Sequence, residues 1–169
     1  MGRMKERRRE EEQNGNGQGR IEWHRELCVG CRACVVACMD QNDIRPEYGE
    51  QAFCKVTEEE KEGRLFWRFT SCRHCREPVC AAACPKGCIE KDPKTGMVLL
   101  NEEICGGCGR CAEACPLHAI SFLKREKDDL SLRVTAGKCD GCAERILAGM
   151  ESACVRACPM KALTMATIF

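Results

Sequence analysis

Sixteen of the chain's eighteen cysteines fall into four ordered groups, and this pattern constrains the fold more than any other feature of its 169 residues. Group one is Cys28, Cys31, Cys34 and Cys38; group two is Cys72, Cys75, Cys80 and Cys84, followed by Pro85. Group three is Cys105, Cys108, Cys111 and Cys115, then Pro116; group four is Cys139, Cys142, Cys154 and Cys158, then Pro159. Internal repetition of this kind decides the architecture before any secondary-structure reading. Only Cys54 and Cys88 stand outside it, and both read as small buried residues, since a free cysteine packs like a hydrophobe. Leu, Ile, Val and Phe together supply 30 residues, below the roughly 20% at which an apolar core becomes hard to build. The formal charge is only +1, so the chain does not expand by self-repulsion, and sulfur chemistry must supply what the core lacks.

Groups one and three have the form C-x2-C-x2-C-x3-C, the spacing of the bacterial ferredoxin run. Three thiolates three residues apart let one tight loop wrap three corners of an iron–sulfur cube. The fourth cysteine lies about one helical turn further on and points away, so it ligates the other cluster of a pair. Groups two and three are close enough to form one two-cluster unit. Crossed ligation then assigns Cys72, Cys75, Cys80 and Cys115 to one cluster and Cys105, Cys108, Cys111 and Cys84 to its partner. Groups one and four form a second unit split by the first, with Cys28, Cys31, Cys34 and Cys158 on one cluster and Cys139, Cys142, Cys154 and Cys38 on the other. Residues near 28 and 158 should then meet in space. Zinc is the competing reading, because it also takes four-cysteine sites and paired C-x2-C knuckles. Group four alone fits zinc, but three equally spaced cysteines suit a cube's corners better than one small tetrahedral ion. The expected cofactors are four 4Fe-4S clusters.

The resulting fold class is α+β and loop-rich: two nested bacterial-ferredoxin-like modules held by iron–sulfur clusters. Residues 21–70 and 117–169 would form the outer module and residues 71–116 the inserted inner one. Residues 1–20 read as a charged, Gly-rich tail or a clasp on a neighbour. Short strands are expected at 65–69 and 97–100, the latter after a turn at 92–96, with a hairpin from 120–123 and 130–134. Short helices are expected over 33–42 and 108–115.

Residues 1–13 are basic and then acidic with no apolar run behind them, which argues against a secretory leader. No apolar stretch approaches the ~20 residues needed to cross a bilayer. A chain so placed is expected in the reducing cytoplasm, where dense cysteine means metal rather than disulfide. Near-equal numbers of basic and acidic residues, 27 and 26, argue against a nucleic-acid partner. There is no Walker loop and no strand-to-helix G-x-G-x-x-G, and His24, His74 and His118 lack any triad pattern, so they read as surface groups or supports behind the ligands. Each oxidised cluster with four thiolates counts formally as −2, so bound clusters would make the protein strongly anionic. Arg32, Arg73, His74, Arg76, Lys86, Arg110, Lys138, Arg145 and Arg156 lie beside ligands and would offset that charge and raise reduction potentials.

Four stretches carry a family resemblance: 34–43 (CVVACMDQND), 71–87 (SCRHCREPVCAAACPKG), 105–116, and 138–163 (KCDGCAERILAGMESACVRACPMKAL). With them the chain resembles the four-cluster ferredoxin-type electron-transfer subunits of anaerobic oxidoreductases, such as the iron–sulfur subunits of dimethyl sulfoxide reductase and formate dehydrogenase. The resemblance implies a subunit without its own substrate site. It would relay single electrons between a large catalytic subunit, usually a molybdenum or tungsten pterin enzyme, and another redox partner such as a further iron–sulfur or flavin subunit. Ser152 stands where the family often has Pro, and Cys88 where it usually has Ala. Similar small subunits serve tungsten aldehyde oxidoreductases, carbon monoxide dehydrogenases and hydrogenase/carbon dioxide reductase complexes, and spacing does not separate these. A free polyferredoxin and a filament of stacked copies are further alternatives.

Overall fold

The computed structural model describes residues 20–93, 95–126 and 131–165. The tail at 1–19, the tip of the 92–96 turn at Lys94 and the expected strand start at Leu130 lie outside them. Within the described residues, four two-stranded antiparallel sheets alternate with short helices, and no sheet closes into a barrel. In chain order the strands are β1 (Ile21–Trp23), β2 (Cys54–Lys61), β3 (Arg64–Ser71), β4 (Ile89–Lys91), β5 (Val98–Leu100), β6 (Ile120–Glu126), β7 (Leu132–Lys138) and β8 (Leu163–Met165). The α-helices are α1 (Ala33–Gln41), α2 (Val79–Ala82), α3 (Arg110–Ala114), α4 (Ala143–Leu147) and α5 (Ala153–Ala157).

The expected strands at 65–69, 97–100 and 120–123 fall on β3, β5 and β6, and the helices expected at 33–42 and 108–115 appear as α1 and α3. Sequence reading passed over β2. Its TEEEK stretch is nearly all charged and carries no alternation, yet it pairs with β3 from Cys54↔Ser71 to Lys61↔Arg64. The apolar side of this ribbon is made by the buried Cys54 and Val56 of β2 together with Phe69, which stands opposite Val56 on β3. Also unforeseen is the pairing of β1 with β8, Ile21↔Met165 through Trp23↔Leu163, which joins segments some 140 residues apart. His24 N extends that ladder by donating to Ala162 O at 2.8 Å.

Two apolar clusters form the core. The larger gathers Ile21, Ile44, Phe53, Phe69, Leu123 and Leu163 around ligand-candidate cysteines, and the smaller gathers Ile89, Val98 and Ala136 beside Cys111. Helix α1 packs on α5, and α2 on α3. The larger cluster is closed by a buried carboxylate. Glu50 Oε2 accepts from Arg45 N at 2.8 Å and Oε1 from Lys124 N at 2.6 Å, tying the loop after α1 to strand β6. Glu50→Ala leaves two backbone donors short of their acceptor, and we expect it to lower stability by about 2–3 kcal/mol. Calorimetry on anaerobic protein would read this as a lowered Tm, and an unchanged Tm would show that water replaces both bonds.

No described helix is long and apolar enough to cross a membrane.

Candidate metal centre

The cysteine loops share one backbone device. The second residue after the leading cysteine of each group has positive φ: Gly30 (+69°), His74 (+48°), Gly107 (+65°) and Gly141 (+73°). A left-handed residue there curls the chain back so that the following cysteines face the same space. Glycine adopts that conformation without penalty, whereas histidine does so only under constraint. At Gly107 space is also short, since a Cβ would stand 2.5 Å from Val134 O. Gly107→Ala should therefore cost about 1–3 kcal/mol, seen as faster bleaching of the visible absorbance on warming. An unaltered bleaching rate would mean that β7 shifts aside.

The cysteines gather by cavity rather than by position in the chain. One cavity is lined by Cys28, Cys31, Cys34 and Cys158. A second is lined by Cys38, Cys139, Cys142 and Cys154, and a third by Cys84, Cys105, Cys108 and Cys111. In the remaining set, burial pushes the thiol of Cys80 up to about 11, with Cys72 and Cys115 adding to the rise, and Cys75 is raised by the same three influences. Those thiols are thus close enough to act on one another.

Burial raises other members too, Cys154 to about 12 and Cys139 well above the ordinary thiol value. Cys34 goes the other way, down to about 7, chiefly because Cys54 hydrogen-bonds to it, and Cys38 is lowered by the same neighbour first. Burial thus disfavours the thiolate at Cys75, Cys80, Cys139 and Cys154, whereas a coordinating thiol is deprotonated outright.

Backbone donors are aimed at the sulfurs. His74 N reaches Cys72 Sγ at 3.4 Å and Gly141 N reaches Cys139 Sγ at 3.3 Å, each two residues past the leading cysteine. Cys88 N and Ala162 N donate to Cys84 Sγ and Cys158 Sγ, both at 3.3 Å and four residues past the last cysteine. Ala136 N donates to Cys105 Sγ at 3.3 Å. Such bonds favour the thiolate and tune the potential of whatever it ligates. Soft thiolates in fours, donors directed at their sulfurs and loops curled to a common space make a donor set that fits a cubane cluster.

Both leftover cysteines are buried as the sequence suggested, at 5% and 3% exposure. They are more than filler. Cys54 lines the cavity of Cys38, Cys139, Cys142 and Cys154, and its Sγ donates to Cys34 O at 3.6 Å. Cys88 lines the cavity of Cys84, Cys105, Cys108 and Cys111. Ser152, the departure before the last pair of group four, is fully buried and donates from Oγ to Gly141 O at 2.7 Å, binding the two halves of that group together. Of the three histidines, His74 is 1% exposed, with Nδ1 accepting from Val98 N at 2.9 Å, so it is an interior support. The basic residues differ sharply from one another. Arg32, Arg76, Lys86, Arg110 and Arg156 are exposed, while Lys138 is buried. Nothing in its local sequence marked it, because its burial comes from contacts with Val98, 40 residues away.

Curled cysteine loops around thiol-lined cavities, joined by short ribbons and helices, define an iron–sulfur protein of the ferredoxin kind. The chain belongs to the 4Fe-4S dicluster domain family, whose model matches residues 64–168, and a 4Fe-4S binding domain model matches residues 25–40. It is 35% identical over 153 aligned positions to the B subunit of anaerobic dimethyl sulfoxide reductase from Haemophilus influenzae, covering 85% of this chain and 71% of that protein. Against the corresponding B subunit of Escherichia coli the identity is 33%, covering 83% of this chain and 69% of the relative. It is also 34% identical to the nitrate-inducible formate dehydrogenase iron–sulfur subunit of Escherichia coli, covering 83% of this chain but 51%, about half, of that subunit. This is therefore a 4Fe-4S electron-transfer protein similar to the iron–sulfur subunits of oxidoreductases.

Proposed function

We propose that the chain carries four 4Fe-4S clusters and relays single electrons along them between a catalytic subunit and a second redox partner. The ligand sets are Cys28, Cys31, Cys34 with Cys158; Cys139, Cys142, Cys154 with Cys38; Cys72, Cys75, Cys80 with Cys115; and Cys105, Cys108, Cys111 with Cys84. Groups one and four make an outer module, 21–70 and 117–169, into which the inner module, 71–116, is inserted. One observation carries this reading: Cys158 lines a cavity with three cysteines of group one, and Cys38 lines one with three of group four, more than 100 residues away in each case. That exchange of the fourth cysteine is what crossed ligation requires.

Each bound cluster supplies a one-electron couple held by rigid thiolates. The protein's own work is to hold the thiolates and to direct N–H groups at them. Cys31 and Cys108, the exposed cysteines of the four sets, offer points where partners could come close. The catalytic partner in this reading is a molybdenum or tungsten pterin enzyme of the formate dehydrogenase or dimethyl sulfoxide reductase type, and the likeness to subunits named for those two enzymes supports it. The chain itself has no substrate site in this reading and works in the cytoplasm.

The test is anaerobic isolation from native extract. We expect co-elution with a larger pterin-containing subunit and about 16 irons per chain. Elution alone at its own mass would reject the subunit reading in favour of a free polyferredoxin.

A further inference from the structure

Lys138 ends strand β7 and is 5% exposed. Its Nζ donates to Val98 O and, at 2.7 Å, to Cys139 O. Among the described residues no carboxylate lies within ion-pair distance of it. A buried ammonium that meets only carbonyl dipoles is costly, because burying a charge takes several kcal/mol that only an opposite charge returns in full. The missing anion must come from something the chain holds.

The surroundings say where that anion sits. Val98 joins two cysteine loops by its own peptide groups. Its C=O accepts from Lys138, and its N–H donates to His74 Nδ1 at 2.9 Å. His74 N in turn donates to Cys72 Sγ at 3.4 Å. A continuous run of polar contacts thus leads from Cys72 through His74, Val98 and Lys138 to Cys139. With Nδ1 accepting, the ring proton of His74 lies on Nε2, which is buried and has no partner among the described residues. The lysine thus touches the loop of Cys139 directly and reaches the loop of Cys72 through Val98 and His74.

We infer that Lys138 is a fixed positive charge shared by the two clusters at the junction of the modules, one held by Cys72, Cys75, Cys80 and Cys115 and the other by Cys38, Cys139, Cys142 and Cys154, and that it raises the reduction potential of both. This rests on the four-cluster reading above. Each of those clusters is formally an anion that becomes more negative on reduction, and two of them side by side oppose each other's reduction. A cation buried between them acts through protein rather than water, so its effect is screened far less than that of Arg32, Arg76 or Arg110 at the surface. Lys138 lets an electron cross from one module to the other without an intervening low-potential step. His74, kept at a positive φ where the other groups have glycine, holds the loop of group two against it.

The test is an EPR-monitored redox titration of the anaerobically purified full chain beside its K138M and K138Q variants, with iron counted in each. K138M keeps the length without the charge, and K138Q also keeps a hydrogen-bond donor. We expect full iron in both, a downward shift of two of the four midpoint potentials, and no change in the other two. Four unchanged potentials, or an equal shift of all four, would overturn the inference. Loss of iron in both variants would also overturn it, since Lys138 would then be holding the fold; if one variant alone loses iron, the other decides by the same criterion. Wild-type iron well below about 16 per chain would instead reject the four-cluster reading.

Discussion

Stripping iron and sulfide from the anaerobic protein is expected to unfold it. The secondary structure cannot stand alone: its α-helices are four to nine residues long, whereas isolated helices below ~12–15 residues are marginal. Every sheet among the described residues has two strands, and a lone two-stranded ribbon is marginal at best. The core is small: among the described residues Leu123 and Val98 are the only large aliphatic side chains below 2% exposure. Structural zinc in zinc-finger peptides contributes about 10–16 kcal/mol, as much as the whole net stability of a typical domain, about 5–15 kcal/mol, and we expect bound clusters to act in the same way. Losing all the clusters together should therefore far exceed the margin. Far-UV circular dichroism should collapse, and the emission of Trp23 and Trp67 should shift to that of the denatured chain. An iron-free protein that kept its dichroism and a sharp melting transition would show that packing suffices.

Replacing one proposed ligand should remove a quarter of the metal, while replacing either leftover cysteine should remove none. Cys111 sits in the first turn of α3 and lines the cavity of Cys84, Cys105 and Cys108. Cys111→Ser should lose about four of ~16 irons and interrupt conduction through that end of the chain. Cys88 lines the same cavity and lies as deep, yet it falls outside the spacing of group two, and Cys88→Ala should retain full iron. Cys54→Ala should do the same, with a spectral change because its hydrogen bond to Cys34 is gone. Iron and sulfide analysis of the three variants decides the matter. Loss of a full cluster from Cys88→Ala or Cys54→Ala would mean that the ligand sets are wrongly drawn.

Ligand chemistry is local, which is why so much of the candidate site was legible. Three cysteines in a run of seven residues curl onto one space wherever the intervening residue can take a positive φ, and Gly30 and Gly107 announce that possibility. Strands with apolar alternation, such as β3 and β6, were equally readable. Strand β2 was not, because its charged sequence becomes a strand only through the ladder that β3 offers it. The depth of His74 and the tie between Cys54 and Cys34 were hidden for the same reason, since each depends on a partner 20 or more residues away.

The amino-acid order by itself gave sixteen of eighteen cysteines the grouping expected of soft-metal ligands, and an apolar complement small for a chain of this length. Only the tertiary structure decided that β1 lies against β8 and that Lys138 is buried against Val98 and Cys139 with no carboxylate of the described residues within ion-pair distance. The physical reason is that spacing along the chain fixes what a loop of a few residues can wrap. Which loops face each other, and which charge is sealed from water, follows from packing between segments that sequence order keeps far apart.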